Sequence, residues 1–224
     1  MLQQKSKKIF IYFFLFLIVG TLNNKNFNNL TFGKVTKVDV IGLNENDNMK
    51  LEERFKFLRV NNLFNLDRIK LEKIVFSNNQ IEEFSAFKVY PSSINIEIFQ
   101  TEYLAYTKIE NKILILGSNG KFIETKEMNL EIPYIDGSFD NQSFFDLKEA
   151  INNTEFSFSE IKRLFYFKSG RWDIKTKNGL VIRLPKENIE KSFELLLDTL
   201  NYTDKQKIKL IDLRQYNQVI VNEK

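Results

Sequence analysis

The sequence predicts an α+β protein: a single N-terminal transmembrane helix, a small domain of order β-α-α-β-β, and a mostly antiparallel β domain with flanking helices. Three observations carry that prediction. Lys5, Lys7 and Lys8 precede an uncharged apolar block, Ile9 to Leu22. Helical and strand periods then alternate from Val35 to about Gln100. From Tyr106 onward, strand and turn signals dominate.

The apolar block holds 14 residues, about 21 Å as a helix, against a hydrocarbon core of about 30 Å. By length alone it matches the hydrophobic region of a signal peptide. Its exit, Val19-Gly-Thr-Leu-Asn-Asn24, lacks an Ala-x-Ala-like cleavage site, and Lys8 and the asparagines can snorkel to lengthen its reach. These features favour an uncleaved anchor at 9–22 behind a short cytoplasmic tail, 1–8, with Lys25, Lys34 and Lys37 blurring the charge asymmetry. Residues 23–34, rich in Asn and without apolar period, read as a linker.

The first domain is expected over 35–104. Val38 and Val40 alternate in a strand that Gly42 ends. Leu51, Phe55 and Leu58 fall at i, i+4 and i+7, a helical period. Asp67 is placed to cap a second helix, with Leu66 and Leu71 as a hydrophobic staple. Phe84 and Ala86 mark a strand that ends at the turn Tyr90-Pro91-Ser92. Ile94, Ile96 and Ile98 alternate in the next one.

The second domain is expected over 105–224. Ile113 to Leu116 runs into the turn Gly117-Ser-Asn-Gly120, and Ser143 is placed to cap a helix carrying Leu147 and Ile151. Trp172 and Ile174 lead into Asn178-Gly179, a strong hairpin signal, and Leu180, Ile182 and Leu184 return. Ile189, Phe193, Leu196, Leu197 and Leu200 form one stripe of a helix over about 187–201. Strands at Ile208–Leu213 and Gln218–Asn222 close the chain.

Composition narrows the chemistry. Cys and His are absent, so there is no thiol nucleophile, no disulfide and no Cys/His zinc site, and the commonest general base is missing. Net charge is +4, but removing the three N-terminal lysines leaves 30 basic against 29 acidic side chains. The excess therefore suits anionic lipid better than nucleic acid. Glu82 and Glu83 are adjacent, so on a strand they face opposite ways and make a poor catalytic pair. The Asp136-Gly137 and Asp140 region lacks metal-ligand spacing, and Trp172 reads as a core aromatic. No catalytic, cofactor or metal site is expected.

The order of several short stretches resembles the bacterial FtsQ/DivIB family. They are Val38-Asp-Val-Ile-Gly42, Asn65-Leu-Asp67, Val89-Tyr-Pro91 with Ile94-Asn-Ile-Glu-Ile98, Gly117-Ser-Asn-Gly120 and Ile132-Pro-Tyr-Ile-Asp-Gly137. Gly170-Arg-Trp-Asp173, Asn178-Gly179, Leu184-Pro185 and Ile211-Asp-Leu-Arg214 follow. The chain departs from the family at Gln100-Thr-Glu-Tyr-Leu-Ala105, where Glu-Arg-x-Pro-x-Ala is usual. The resemblance implies that 35–104 is a POTRA domain and 105–224 an FtsQ-type β domain. It also implies a non-enzymatic division scaffold of the inner membrane, with periplasmic domains and septal enrichment. Its expected partners are FtsB and FtsL at the β domain and other division proteins at the POTRA domain. A POTRA component of outer-membrane biogenesis or secretion is the alternative, although such chains usually carry several POTRA repeats or a barrel.

The closing strand has no following element to cover it. At a sheet edge, its free N–H and C=O groups would template β-augmentation. The resemblance points to the same place and adds arginines that meet acidic partner side chains. The expected partner-binding residues are Arg171, Arg214, Tyr216, Gln218, Val219, Ile220, Val221 and Asn222. The bland alternative is that Val219 and Val221 fill the core and Arg214 forms a salt bridge within the domain.

Overall fold

The computed structural model describes residues 2–22, 34–64, 66–126, 130–202, 208–215 and 217–223. The chain divides into two compact units, Met1–Asn78 with Glu83–Phe99 and Asn79–Glu82 with Gln100–Lys224.

Helix α1 (Leu2–Leu22) leads the chain, and its large apolar side chains from Ile9 to Val19 are all exposed. The expected transmembrane anchor at 9–22 needs correction, because no helix among the described residues is long and apolar enough to cross a membrane. The reason is length. Every 18-residue stretch of α1 takes in Lys5, Lys7 and Lys8, and the uncharged remainder reaches only about 21 Å.

The first unit contains β1 (Lys37–Ile41), α2 (Glu45–Arg54), a 3-10 turn (Phe55–Val60) and α3 (Arg68–Val75), followed by all but the first two residues of β2 (Ile81–Val89) and all but the last of β3 (Ser93–Gln100). The strand order is β1-β3-β2, with β1 parallel to β3 and Val38 and Val40 opposite Ile94 and Ile96. All four are buried, as are Leu51, Phe55, Leu58, Leu71 and Val75. The Leu51-Phe55-Leu58 period is thus realised by two helix types, since α2 stops at Arg54 and the tighter turn continues the same apolar stripe. Asn44 caps α2 by accepting the Asp47 N–H at 2.9 Å, and Asp67 caps α3 by accepting that of Lys70 at 3.0 Å. Gly42, at φ +113°, passes the Ile98 carbonyl so closely that a Cβ would sit 1.9 Å from its oxygen. Only glycine fits there.

The second unit contains β4 (Tyr103–Ile109), β5 (Lys112–Gly117), β6 (Phe122–Thr125), β7 (Tyr134–Asp136), α4 (Asn141–Asn152) and β8 (Ile161–Tyr166). Then come β9 (Trp172–Thr176), β10 (Val181–Arg183), α5 (Ile189–Tyr202), β11 (Ile208–Asp212) and β12 (Ile220–Glu223). Among the described residues they form one nine-stranded sheet of order β12-β11-β10-β9-β8-β7-β4-β5-β6. Most pairings are antiparallel, but β4–β7, β7–β8 and β10–β11 are parallel.

A single crosswise row fixes the core. Ile135, Leu164, Ile174, Ile182 and Ile211 lie in register across β7 to β11, all fully buried, and Val221 of β12 completes the row. Phe144, Leu147 and Ile151 of α4 and Phe193 and Leu196 of α5 belong to the same core cluster. The other face of these strands therefore carries the alternating residues, which are largely charged or aromatic. The expected cap of α4 also needs correction. Asp140 has the extended cap conformation and accepts the Ser143 N–H at 2.8 Å, so Ser143 sits inside the first turn.

Candidate partner-binding edge and ion row

The Asn178-Gly179 hairpin sets the register that builds this site. Gly179, at φ +93°, turns the chain, and the Thr176 N–H donates to the Leu180 carbonyl at 2.9 Å. Folding back from that loop places Asp173 opposite Arg183. The parallel pairing of β10 with β11 then places Arg183 opposite Asp212, and β12 places Ile220 opposite Asp212. Asp173, Arg183, Asp212 and Ile220 thus form one row on the face away from the helices, with charges of alternating sign, a stabilising cross-strand arrangement.

Asp212 is the hub. Its carboxylate accepts from Arg214 Nε at 2.8 and 3.0 Å and from Nη2 at 2.5 Å, with Arg183 Nη1 at 3.6 Å. The Arg214 hydrogen bond outweighs burial and holds the Asp212 carboxyl below the usual carboxylate range. Asp173 behaves in the opposite way. Burial raises its pKa despite Arg171 and Arg183, whose Nε atoms stand 3.7 and 3.8 Å from its oxygens. Arg171 Nε and Asp173 Oδ1 are both buried without a hydrogen-bond partner. The Arg171 head lies 4.4 Å over the Phe167 ring. Three arginines face two aspartates, so the row is net positive by one charge, spread from Arg171 at the start of β9 to Arg214 just past β11.

The predicted residues fall in different roles. Arg214 pairs internally, as the bland alternative had it, and Arg171 does so as well, yet Arg214 remains 38% and Arg171 30% exposed at the side chain. Ile220 lies on the edge strand and is 50% exposed. Val221 and Val219 are partly buried against the core, and Asn222 is exposed. Gln218 and Val219 precede the strand, which begins two residues later than expected because the Gln218 N–H closes a turn onto Gln215. Tyr216 lies outside the described residues. β12 is terminal in the strand order, and among the described residues no strand pairs with its outer side.

Sequence reasoning passed over Arg183, Asp173 and Asp212. The first pair was accessible by folding the hairpin about Asn178-Gly179. Elsewhere, Trp172 is a core residue, packed 4.7 Å from Tyr166. Asp136 pairs with Arg163 at 3.3 Å, and Glu82 accepts from the Ser118 hydroxyl at 2.8 Å.

A family model described as "Cell division protein FtsQ/DivIB, C-terminal" matches residues 105–214. A protein of Rickettsia bellii named Cell division protein FtsQ is 26% identical over 163 residues, covering 71% of this chain and 60% of that protein. Its namesake in Rickettsia prowazekii is 25% identical, covering 75% of this chain and 65% of its own. The chain thus spans less than two thirds of the length of these relatives. The solved extracytoplasmic domain of the trans isomer of the cell-division protein DivIB from Geobacillus stearothermophilus overlaps 47% of this chain and 98% of its own length. Its identity is 13% and its TM-score 0.32, too low to bear on the fold.

Proposed function

The chain belongs to the FtsQ/DivIB family, and on that premise we propose that it serves bacterial cell division as a non-enzymatic docking scaffold. In this reading the first unit is a POTRA domain that brings the protein to the septum with other division proteins. The second unit binds FtsB and FtsL and so links recruitment to control of septal peptidoglycan synthesis. Both face the periplasm at the inner membrane. The exposed, all-round apolar surface of α1 between Ile9 and Val19 supports membrane attachment, since such a helix needs an apolar surrounding.

The observation that carries the proposal is the free edge of β12 beside the arginine-rich ion row. A partner strand laid along β12 gains main-chain hydrogen bonds, and Ile220, Arg214 and Arg171 supply side-chain discrimination. Tethering both partners to one bilayer raises their effective concentration, so a modest interface suffices.

Proline scanning of the edge tests this. Successive residues of an edge strand point their N–H groups alternately inward and outward. Of Ile220→Pro and Val221→Pro, one therefore breaks the β11–β12 ladder and the other touches only the free edge. The expected result is one variant with a wild-type unfolding midpoint that no longer captures the periplasmic segment of FtsB. Full capture by both variants, correctly folded, rejects the edge-strand model. Normal septation in depleted cells rejects the division role.

A further inference from the structure

Farther along the same open face, away from β12, lies a second feature that strand addition leaves unused. We propose that the cleft over β7, β8 and β9 docks an extended acidic peptide segment of a partner protein. The cleft has a volume of about 740 Å³, and Lys162, Arg163, Lys175 and Lys177 line it together with one carboxylate, Glu131. Arg163 is paired with Asp136 at 3.3 Å. Lys162, Lys175 and Lys177 are exposed and form no ion pair among the described residues.

Register makes this positive cluster a property of the sheet. Arg163 stands directly opposite Lys175, a like-charge pair that costs stability where an opposite-charge pair would add it. An anionic occupant removes that cost. Lys175 lies on β9 and Lys177 opens the turn just beyond it, separated by the extended residue Thr176, with the Lys177 N–H donating to the Glu160 carbonyl at 2.8 Å. Their spacing is therefore about 6.6 Å, that of alternate side chains on an extended peptide. A Glu-x-Glu stretch running along β9 meets both cations.

The remaining lining favours a polypeptide. Tyr134 lies 4.8 Å beneath the Arg163 guanidinium and 5.1 Å from the Tyr106 ring, a platform that holds the guanidinium in place and offers apolar area. Leu130 and Ile132 form an apolar wall for the side chain between two glutamates. Alternating carboxylate and apolar residues match this lining.

The test uses the full chain in detergent micelles and a fluorescein-labelled twelve-residue peptide alternating Glu with Leu and Tyr, read by anisotropy. Lys175→Glu with Lys177→Glu should weaken binding at least about tenfold, or roughly 1.4 kcal/mol. Whichever of Ile220→Pro and Val221→Pro keeps the wild-type unfolding midpoint should leave it unchanged, which separates this site from the β12 edge. If the double reversal fails to fold, Lys175→Gln with Lys177→Gln should still weaken binding severalfold. Wild-type affinity in either folded double variant overturns the proposal, as does equal binding of a peptide with its glutamates in one block. It is equally overturned if the peptide does not bind and the reversal instead abolishes binding to phosphatidylglycerol vesicles or self-association. The occupant is then lipid or a second copy.

Discussion

Asp212→Asn removes one charge from the ion row while keeping its shape, and the expected loss of stability can be worked out from the contacts. The carboxylate takes three short contacts from the Arg214 head and one longer ion pair from Arg183. Hydrogen bonds to charged groups contribute about 1.5–3 kcal/mol. Solvent reduces that here, because the Arg214 and Arg183 side chains are 38% and 40% exposed. Asparagine also keeps one acceptor for the Arg214 backbone N–H, which donates at 3.1 Å. Some of the loss is offset at Asp173, whose raised pKa owes part of its shift to the Asp212 charge. The net expectation is about 1.5 kcal/mol, or roughly 5–6 °C in the midpoint of this unit. Trp172, the only tryptophan, is buried in the same unit, so its emission during urea unfolding reports on this unit. The pH dependence carries a sign. Because the folded pKa of Asp212 is depressed, its contribution is present above about pH 4 and fades as pH falls through the folded value. Asp212→Asn should lack that acid limb. A variant within about 0.5 kcal/mol of wild type, the range of ordinary surface changes, with the acid limb intact, would refute the assignment of Asp212 as hub.

Two further perturbations have definite signs. Burial raises the folded pKa of Asp173, so the folded state holds its proton longer than the unfolded one. Stability should therefore decline as pH rises from about 3.9 through the raised value, and Asp173→Asn should flatten that decline; equal slopes in the two proteins count against it. Gly42→Ala forces a Cβ to within 1.9 Å of the Ile98 oxygen at a φ that L-residues avoid. It should cost the first unit at least about 2 kcal/mol, seen as lost amide protection in β1 and β3. Wild-type protection would mean the backbone relaxes there freely.

Local chemistry was readable from the chain, and neighbours distant in sequence were not. The Asp67 cap, the Gly117–Gly120 turn, the Asn178-Gly179 hairpin and the stripe of α5 each depend on residues a few positions apart, so the sequence pattern contains them. The parallel pairings β4–β7 and β10–β11 bring together strands separated by other elements. Apolar alternation says which face of such a strand is buried, and nothing about which strand lies beside it. The cap of α4 failed for a narrower reason. Asp140 and Ser143 are both good cap residues three positions apart, and the hydroxyl serves the carboxylate instead of starting the helix. The apolar block of α1 was correctly placed as a helix, but its charge-free length is too short for a span.

The same division of information explains the candidate site. Arg171 and Arg214 follow from family resemblance and the terminal strand from its position; the Asp212–Arg214 pair is local, two residues apart, whereas the Arg183–Asp212 ion pair exists only through the crossover that sets β11 beside β10. Their internal pairing does not compete with a docking role. A strand-addition site requires an edge whose register cannot slip, and β12 is short, with four residues and an irregular pairing near Ile208. Across β9, β10 and β11 the alternating Asp173-Arg183-Asp212 charges penalise any shift, since moving one strand by a residue turns its charge toward the helix-covered core. Val221 anchors the last strand to that core while Ile220 stays exposed beside the arginines. The ion row thus fixes the strand that carries β12, and in the proposed docking mode Arg214, just past β11 and still 38% exposed, is the arginine nearest an incoming strand.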